Sequence, residues 1–183
     1  MDKRISLCRI GTRDPHFEPS LALMEASFPA DERREEDDLR ALVEGNPLFA
    51  FNIVKSDDER VGLMTTWNFG KFIYVEHFAT EPSVRGGGLG AASLRELAKT
   101  ADLPIVLEVE PPAQSDEARR RVGFYERSGF KLWRTAYTQP PYSKEKKSLP
   151  MSLMAYGLEE TPDCAKIVTA LLYRHVYKAK MQA

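Results

Sequence analysis

The stretch FIYVEHFATEPSVRGGGLGA, residues 72–91, decides the fold of this chain. Its first part, Phe72 to Ala79, is rich in aromatic and β-branched residues, which predicts a strand. A short loop, Thr80 to Val84, leads from the strand into Arg85-Gly-Gly-Gly-Leu-Gly-Ala91. Apolar residues then recur at i, i+3, i+4 and i+7 between Leu94 and Ala101, which is the spacing of a helix. The stretch therefore predicts a strand, a glycine-rich loop and the beginning of a helix.

Upstream of this stretch the pattern predicts two helices and an antiparallel hairpin. The first helix covers Leu21 to Phe28 and ends before Pro29, and the second contains Leu39 and Val43 and ends at Gly45-Asn46-Pro47. The hairpin strands are Phe49 to Val54 and Val61 to Trp67, joined by a polar turn.

Downstream, a buried strand from Ile105 to Val109 precedes a helix that Ser115 caps and Gly129 closes. A last pair of strands is predicted at Phe130 to Tyr137 and Met151 to Tyr156, and an amphipathic helix at Pro162 to Lys178. The fold class is therefore α/β (α+β), with a mixed, mostly antiparallel central sheet flanked by helices. We expect one domain over residues 1–183, with a core at about 5–157 and a C-terminal helical extension at about 162–178.

Composition excludes several classes of partner. The 183 residues carry 26 basic and 27 acidic side chains, a net charge of -1, so neither nucleic acid nor a membrane surface is expected as a partner. The 2 cysteines and 3 histidines show no metal-ligand spacing, and no metal is expected. The N-terminus, Met1 to Leu7, lacks the apolar stretch of a signal peptide, so a cytoplasmic location is expected. The sequence leaves a homodimer open.

The glycine loop, Arg85 to Ala91, has the composition of an anion-binding site. Glycines allow successive backbone N–H groups to face one point, and the helix that follows adds partial positive charge. Such a site suits a pyrophosphate, with Arg85 adding charge at its rim. Two other interpretations stay open, a loop without a ligand and a dinucleotide fingerprint, since Gly86-x-Gly88-x-x-Ala91 fits that pattern and Glu108 lies at a suitable distance. The antiparallel strands upstream and the intervening loop disfavour the fingerprint.

At this point the sequence resembles the GNAT family of N-acetyltransferases. Arg85, Gly88 and Gly90 match the family's pyrophosphate motif in order, and Thr80-Glu81-Pro82 matches the run before it. A second segment, Gly123 to Phe130, resembles the family's Leu-Tyr, three residues, Gly-Phe segment. One departure is that Ala118 and Arg121 stand where many members carry Asn and Ala.

The resemblance implies the GNAT acyl-CoA N-acyltransferase fold and an acetyltransferase. It implies acetyl-CoA as co-substrate and direct transfer of the acetyl group, in a ternary complex, to a primary amine of a small molecule or peptide. Tyr125 matches the family's tyrosine that donates its hydroxyl to the sulfur of CoA. The residues that would bind the cofactor are Phe78, Ala79, Thr80, Arg85, Gly86, Gly87, Gly88, Leu89, Gly90 and Ala91. The alternatives are a CoA-binding regulatory or scaffold domain without catalysis and a nicotinamide-dependent reductase.

Acidic residues on the predicted central strands are the candidates for the base that deprotonates the amine. Glu76 and Glu108 both lie in apolar company, where burial would suit a carboxylate to this role. His77 is expected on the opposite face from Glu76, because side chains alternate along a strand. Glu110 and Tyr142 are the substrate-side candidates, the first as a partner for a cationic amine and the second as a cover of the acceptor pocket.

Overall fold

The computed structural model describes residues 4–180 and divides into two compact units. The first unit takes in the chain up to Pro29 together with Glu35–Pro104, and the second takes in Ala30–Arg34 and the chain from Ile105 onward. Met1 to Lys3, which belong to the N-terminal stretch where no signal peptide is expected, lie outside the described residues. The single domain expected over residues 1–183 stays a prediction.

The first unit is built on four antiparallel strands. They are β1 (Ile5–Arg9), β2 (Phe49–Ser56), β3 (Glu59–Asn68) and β4 (Ile73–Thr80), hydrogen-bonded in the order β1-β2-β3-β4. The predicted hairpin and third strand are confirmed as β2, β3 and β4. The sequence did not predict β1, because this short edge strand is only partly buried and has no apolar run. Its partner, β2, lies some forty residues further along the chain.

Three helices pack on this sheet. They are α1 (Phe17–Ser27), α2 (Glu36–Gly45) and α3 (Leu89–Ala101), with a 3-10 turn at Pro82–Val84 before α3. α1 packs on β3 and β4, and α3 packs on β1 and β4. Within the core, the ring centroids of Phe17 and Phe51 lie 4.9 Å apart. All three helices were predicted, with boundaries that differ by a few residues.

The second unit is centred on one long strand. Its strands are β5 (Ile105–Val109), β6 (Lys131–Leu132), β7 (Tyr137–Gln139) and β8 (Leu149–Tyr156), and β8 pairs antiparallel with each of the other three. The helices are α4 (Asp116–Arg127) and α5 (Pro162–Leu171), with a 3-10 turn at Ala30–Glu32. Ser115 caps α4 as predicted, since its Oγ accepts a 3.0 Å hydrogen bond from the Ala118 N–H.

The continuous strand predicted from Phe130 to Tyr137 is wrong. The chain forms the two short strands β6 and β7 instead, because the backbone N–H groups between them turn to a side chain. The Glu160 carboxylate accepts hydrogen bonds from the Arg134 N–H at 2.9 Å and the Thr135 N–H at 2.8 Å. These contacts lower the pKa of Glu160, against a desolvation that raises it. Glu160, 25 residues further along the chain than Thr135, therefore takes two backbone N–H donors that a continuous strand would use for pairing.

The C-terminal helix is present but changes its geometry. α5 ends at Leu171 and continues as a π-helical turn, Leu172–Val176, in which the Tyr177 N–H donates to the Leu172 carbonyl at 3.2 Å. π-helical turns are rare in proteins, and those that occur often lie at functional sites. Within residues 4–180, none of the helices combines the length and the apolarity that a bilayer crossing needs.

Candidate active site

The glycine loop lies in the first unit, between β4 and α3. Gly86 has φ 84° and Gly88 has φ 76°, a left-handed conformation that favours glycine. A Cβ atom at either position would meet nothing within 4 Å, so the space beside the loop is open. Gly88 is the N-cap of α3, and no side chain caps this helix. The first turn of α3 therefore presents backbone N–H groups without a side-chain acceptor.

This geometry fits a pyrophosphate. Residues 86–91 supply backbone N–H donors and the positive end of a 13-residue helix, which together favour an anion. Arg85 lies at the exposed rim, and its Nε donates to the Thr80 carbonyl at 3.3 Å. The guanidinium is thereby fixed at the end of β4, where its charge adds to that of the helix.

The end of β4 holds the other predicted cofactor residues. Phe78, Ala79 and Thr80 pair with Met64, Leu63 and Gly62 of β3. The two strands approach closely here, because a Cβ atom on Gly62 would lie 2.4 Å from the Ala79 carbonyl oxygen. Only glycine fits at position 62 without a shift of the backbone.

Glu76 is the extra residue of a β-bulge in β4. Thr65 pairs with His77 and Thr66 pairs with Val75, so Glu76 has no counterpart on β3. Its Oε2 accepts a 2.9 Å hydrogen bond from Nε1 of Trp67, which is fully buried. The bulge aims this predicted base at an indole donor.

The expected opposite orientation of His77 is wrong. His77 Nδ1 lies 3.3 Å from Oγ1 of Thr65, and Thr65 and Trp67 project from the same side of β3. Glu76 and His77 therefore both reach side chains on that side. A bulge interrupts the alternation of side chains, which is the physical reason for the difference. His77 is buried and its ring contacts Phe28 edge-on, at 4.8 Å between centroids.

Tyr125 lies on α4 in the second unit, among aromatic rings. Its ring centroid is 5.6 Å from that of Phe130 and 5.1 Å from that of Phe124. Desolvation raises the pKa of Tyr125 to about 12, against a smaller lowering by the charge of Arg121. The hydroxyl therefore keeps its proton at neutral pH and is a hydrogen-bond donor. Within residues 4–180, this hydroxyl has no hydrogen-bond acceptor.

Glu108 lies on β5 and accepts hydrogen bonds from two tyrosine hydroxyls. Tyr137 donates to Oε1 at 2.5 Å and Tyr177 donates to Oε2 at 2.8 Å. Burial, followed by the charge of Glu108, raises the pKa of Tyr137, so this phenol stays protonated as a donor. Each carboxylate oxygen thus has a fixed partner, and the orientation of Glu108 is held by two side chains.

Glu110 and Tyr142, the predicted substrate residues, both have protein partners. Glu110 forms a 2.8 Å ion pair with Arg121. Tyr142 lies against Tyr177, at 4.9 Å between ring centroids, and the Arg34 guanidinium lies 4.8 Å from its ring centre. Tyr142 is therefore partly buried and packs against residues of the second unit.

Arg121 connects two predicted site residues with one that the sequence did not reveal. It pairs with Glu110, its charge acts on Tyr125, and it also acts on Glu32 of the 3-10 turn. Burial raises the pKa of Glu32, the charge of Glu110 adds to the rise, and Arg121 opposes it. Arg121, which stands where many family members carry Ala, is thus the positive charge that acts on Glu110, Tyr125 and Glu32.

The structure brings some predicted residues together and leaves others apart. Tyr177 links Glu108 to Tyr142, and Arg85 links the glycine loop to Thr80. Glu76 is instead bound to Trp67 in the first unit. The sequence did not reveal Tyr137 and Tyr177, because they lie 29 and 69 positions from Glu108 and no motif contains them. The described residues contain no group of three or more His, Cys, Asp and Glu side chains that could hold a metal ion.

The site is thus built on a glycine loop at the start of a helix, following a strand of an antiparallel sheet. The family model described as the acetyltransferase (GNAT) family matches residues 17–130. The chain therefore belongs to the GNAT acetyltransferase family. The predicted fold class, a mixed, mostly antiparallel sheet flanked by helices with an extra C-terminal helix, is confirmed.

Several known proteins are similar to this chain. A putative GNAT-family acetyltransferase from Bacteroides thetaiotaomicron has a similar structure, with a TM-score of 0.91 and 40% identity over 96% of this chain and 99% of that one. The putative acetyltransferase YjbC of Bacillus subtilis is 30% identical over 105 residues, which are 57% of this chain and 52% of YjbC. The match thus spans about half the length of that curated relative. Arabidopsis thaliana Naa50, solved with the bisubstrate analogue CoA-Ac-MVNAL, shares the fold, with a TM-score of 0.58 and 17% identity over 84% of this chain and 99% of Naa50.

Proposed function

We propose that this protein is an N-acetyltransferase that transfers an acetyl group from acetyl-CoA to a primary amine of a small molecule or peptide. The observation that carries the proposal is the first turn of α3, where Gly88 begins an uncapped helix beside open space. This arrangement is suited to the pyrophosphate of CoA. Naa50, a relative in fold, was solved with a CoA-containing analogue.

The cofactor-binding residues of the proposal lie in the first unit. Backbone N–H groups of residues 86–91 would hold the pyrophosphate, and Arg85 would add a positive charge. Phe78, Ala79 and Thr80 would pair through their backbones with the pantetheine arm, as an added strand does. Acetyl-CoA would supply the acetyl group as a thioester.

Tyr125 and a carboxylate would handle the protons. The amine loses one proton when its nitrogen bonds to the acetyl carbon, and the sulfur that leaves needs one proton to become a thiol. Tyr125 holds a proton at its hydroxyl, since its pKa is raised to about 12. Glu76 or Glu108 would receive the proton from the amine. Glu110 and Tyr142 would lie on the substrate side. A cytoplasmic location, a homodimer and the absence of a metal stay predictions.

Calorimetry and a thiol-release assay test this proposal together. Acetyl-CoA is titrated into the protein, and a panel of primary amines is then scored for CoA release. We expect micromolar binding and turnover with at least one amine. Binding without turnover on any amine would favour the non-catalytic alternative, and absence of binding by a folded protein would contradict the proposal. Thermal stabilisation by NADH would instead favour a reductase.

A further inference from the structure

The C-terminal segment lies beyond the part of the chain that the family model matches. That match ends at residue 130, whereas α5 and the π-helical turn occupy residues 162–176. The segment nevertheless contacts candidate site residues of the second unit through Tyr177, which is 6% exposed. Its hydroxyl donates to Glu108 and its ring lies against Tyr142.

Further contacts fix this segment in place. Arg34 Nη2 donates to the Val176 carbonyl at 2.7 Å, while the same guanidinium lies against the Tyr142 ring. Tyr173, one turn before Tyr177, donates its hydroxyl to the Thr138 carbonyl at 2.6 Å. Arg34, β7, the loop after β7 and the C-terminal segment are thus connected to one another by these contacts.

Each of the two carboxylate oxygens of Glu108 accepts a hydrogen bond from a different tyrosine. One of these donors lies on β7, and the other is the residue that follows the π-helical turn. Hydrogen bonds to an ionised group are the strong ones, and they fix direction as well as charge. A π-helical turn adds a residue to the helix and so changes the direction of the side chains that follow it.

We propose that Tyr177 and Tyr137 are positioning residues of the acceptor half of the active site, acting through Glu108. Tyr177 is then the one residue of the C-terminal segment to which this role is assigned. The two phenols hold the carboxylate in the orientation in which it meets the acceptor amine. This inference rests on the proposed function, because it assigns Glu108 to the acceptor amine.

The experiment compares two hydroxyl deletions in the same segment. Tyr177→Phe removes the donor to Glu108, and Tyr173→Phe removes a donor to a backbone carbonyl only. The acceptor is the primary amine that gives the fastest thiol release in the panel. We expect Tyr177→Phe to lower kcat/KM for this amine by about tenfold or more, as the loss of a hydrogen bond to a charged group does. Tyr173→Phe should change it by less than about twofold, and neither variant should change the KM for acetyl-CoA.

The same two variants in a Glu108→Gln background show whether Tyr177 acts through the carboxylate. If Tyr177 acts through Glu108, Tyr177→Phe should then lower kcat/KM by less than about twofold further, because the carboxylate through which it acts is already absent. Tyr137→Phe should behave as Tyr177→Phe does. Equal losses in Tyr177→Phe and Tyr173→Phe, or an undiminished loss in the Glu108→Gln background, would overturn the inference. A wild-type protein that acetylates no amine would overturn both this inference and the proposed function, whereas failure of the inference alone leaves wild-type turnover intact.

Discussion

The indole Nε1 of Trp67 donates a 2.9 Å hydrogen bond to Oε2 of Glu76, at the residue where β4 bulges. A fully buried side chain thus holds a carboxylate at the one position of the strand that has no partner on β3. Bulges re-aim side chains and are common beside active sites. This relationship makes Glu76 a base candidate whose orientation is set within the first unit.

Replacement of Glu76 by Gln should remove proton acceptance and preserve the fold. The amide oxygen of Gln can still accept from Trp67, so the unfolding free energy should change little. If Glu76 is the base, kcat should fall by about a hundredfold, within the range for general base catalysis. Steady-state kinetics with the best amine measure this, and Glu59→Gln, at an exposed residue on β3, is the control. An unchanged kcat in Glu76→Gln would leave Glu108 as the remaining candidate.

Tyr125→Phe should lower turnover and leave acetyl-CoA affinity nearly unchanged. The substitution removes one hydroxyl and keeps the ring that packs on Phe130. Loss of a general acid costs about a hundredfold in kcat. Calorimetry gives the affinity and thiol release gives the rate. Tyr156→Phe is a matched control, because that ring also contacts Phe130, at 5.7 Å between centroids. Equal rates in the two variants would refute the assignment.

The raised pKa of Tyr125 predicts how stability depends on pH. The folded-state pKa, about 12, exceeds the ordinary value of 10.0, so the folded protein retains this proton more firmly than the unfolded chain. The contribution to stability is complete below about pH 10 and is lost as the pH rises from about 10 to about 12. Urea unfolding across that interval should show a smaller alkaline loss in Tyr125→Phe than in the wild type. Parallel curves for the two proteins would contradict the prediction.

A side chain at Gly88 should weaken cofactor binding, whereas a side chain at Gly70 with the same cost in stability should not. Gly88→Glu places bulk and negative charge in the open space beside the first turn of α3, where the pyrophosphate is proposed to bind. Gly70→Glu is a close control, because Gly70 also has φ 76° and open space around its Cβ position. Both variants should lose about 1–2 kcal/mol of unfolding free energy to the left-handed conformation. Only Gly88→Glu should weaken acetyl-CoA binding, by at least about tenfold.

Retained binding in Gly88→Glu, measured by calorimetry at a temperature where both variants are folded, would place the cofactor elsewhere.

The close approach of β3 and β4 at Gly62 can be tested by a single methyl group. In Gly62→Ala the new Cβ would lie 2.4 Å from the Ala79 carbonyl oxygen, so the backbone must move. The variant should lose about 1–3 kcal/mol of unfolding free energy, the usual cost of overpacking. Gly45→Ala is the control, since a Cβ atom there meets nothing within 4 Å. It should be neutral or slightly stabilising. Denaturant unfolding measures both, and equal stability would contradict the predicted clash.

Local patterns predicted most of the elements. The capping Ser115, the glycine at 129 with φ 90° and the apolar run of β5 each carry a signal within a few residues. Two features depended on distant groups and were not predicted correctly. β1 pairs with a strand far along the chain, and the break between β6 and β7 depends on Glu160.

The candidate site shows the same division. The glycine loop and the segment around Tyr125 are contiguous motifs, so the sequence alone indicated a pyrophosphate site and a tyrosine donor. It could not show that Glu76 and His77 reach the same side of β3, because one bulged residue changes the direction of those that follow.

By itself the sequence determined what depends on neighbouring residues: the order of strands and helices, the glycine-rich loop and the start of α3. Only the tertiary structure decided which side chains meet. Tyr137 and Tyr177 bond Glu108 from 29 and 69 positions away in the sequence. Glu160 interrupts the strand between β6 and β7 from 25 positions away. The physical reason is that backbone conformation responds to sterics within a few residues, whereas hydrogen bonds between distant side chains exist only once the chain has folded and brought them together.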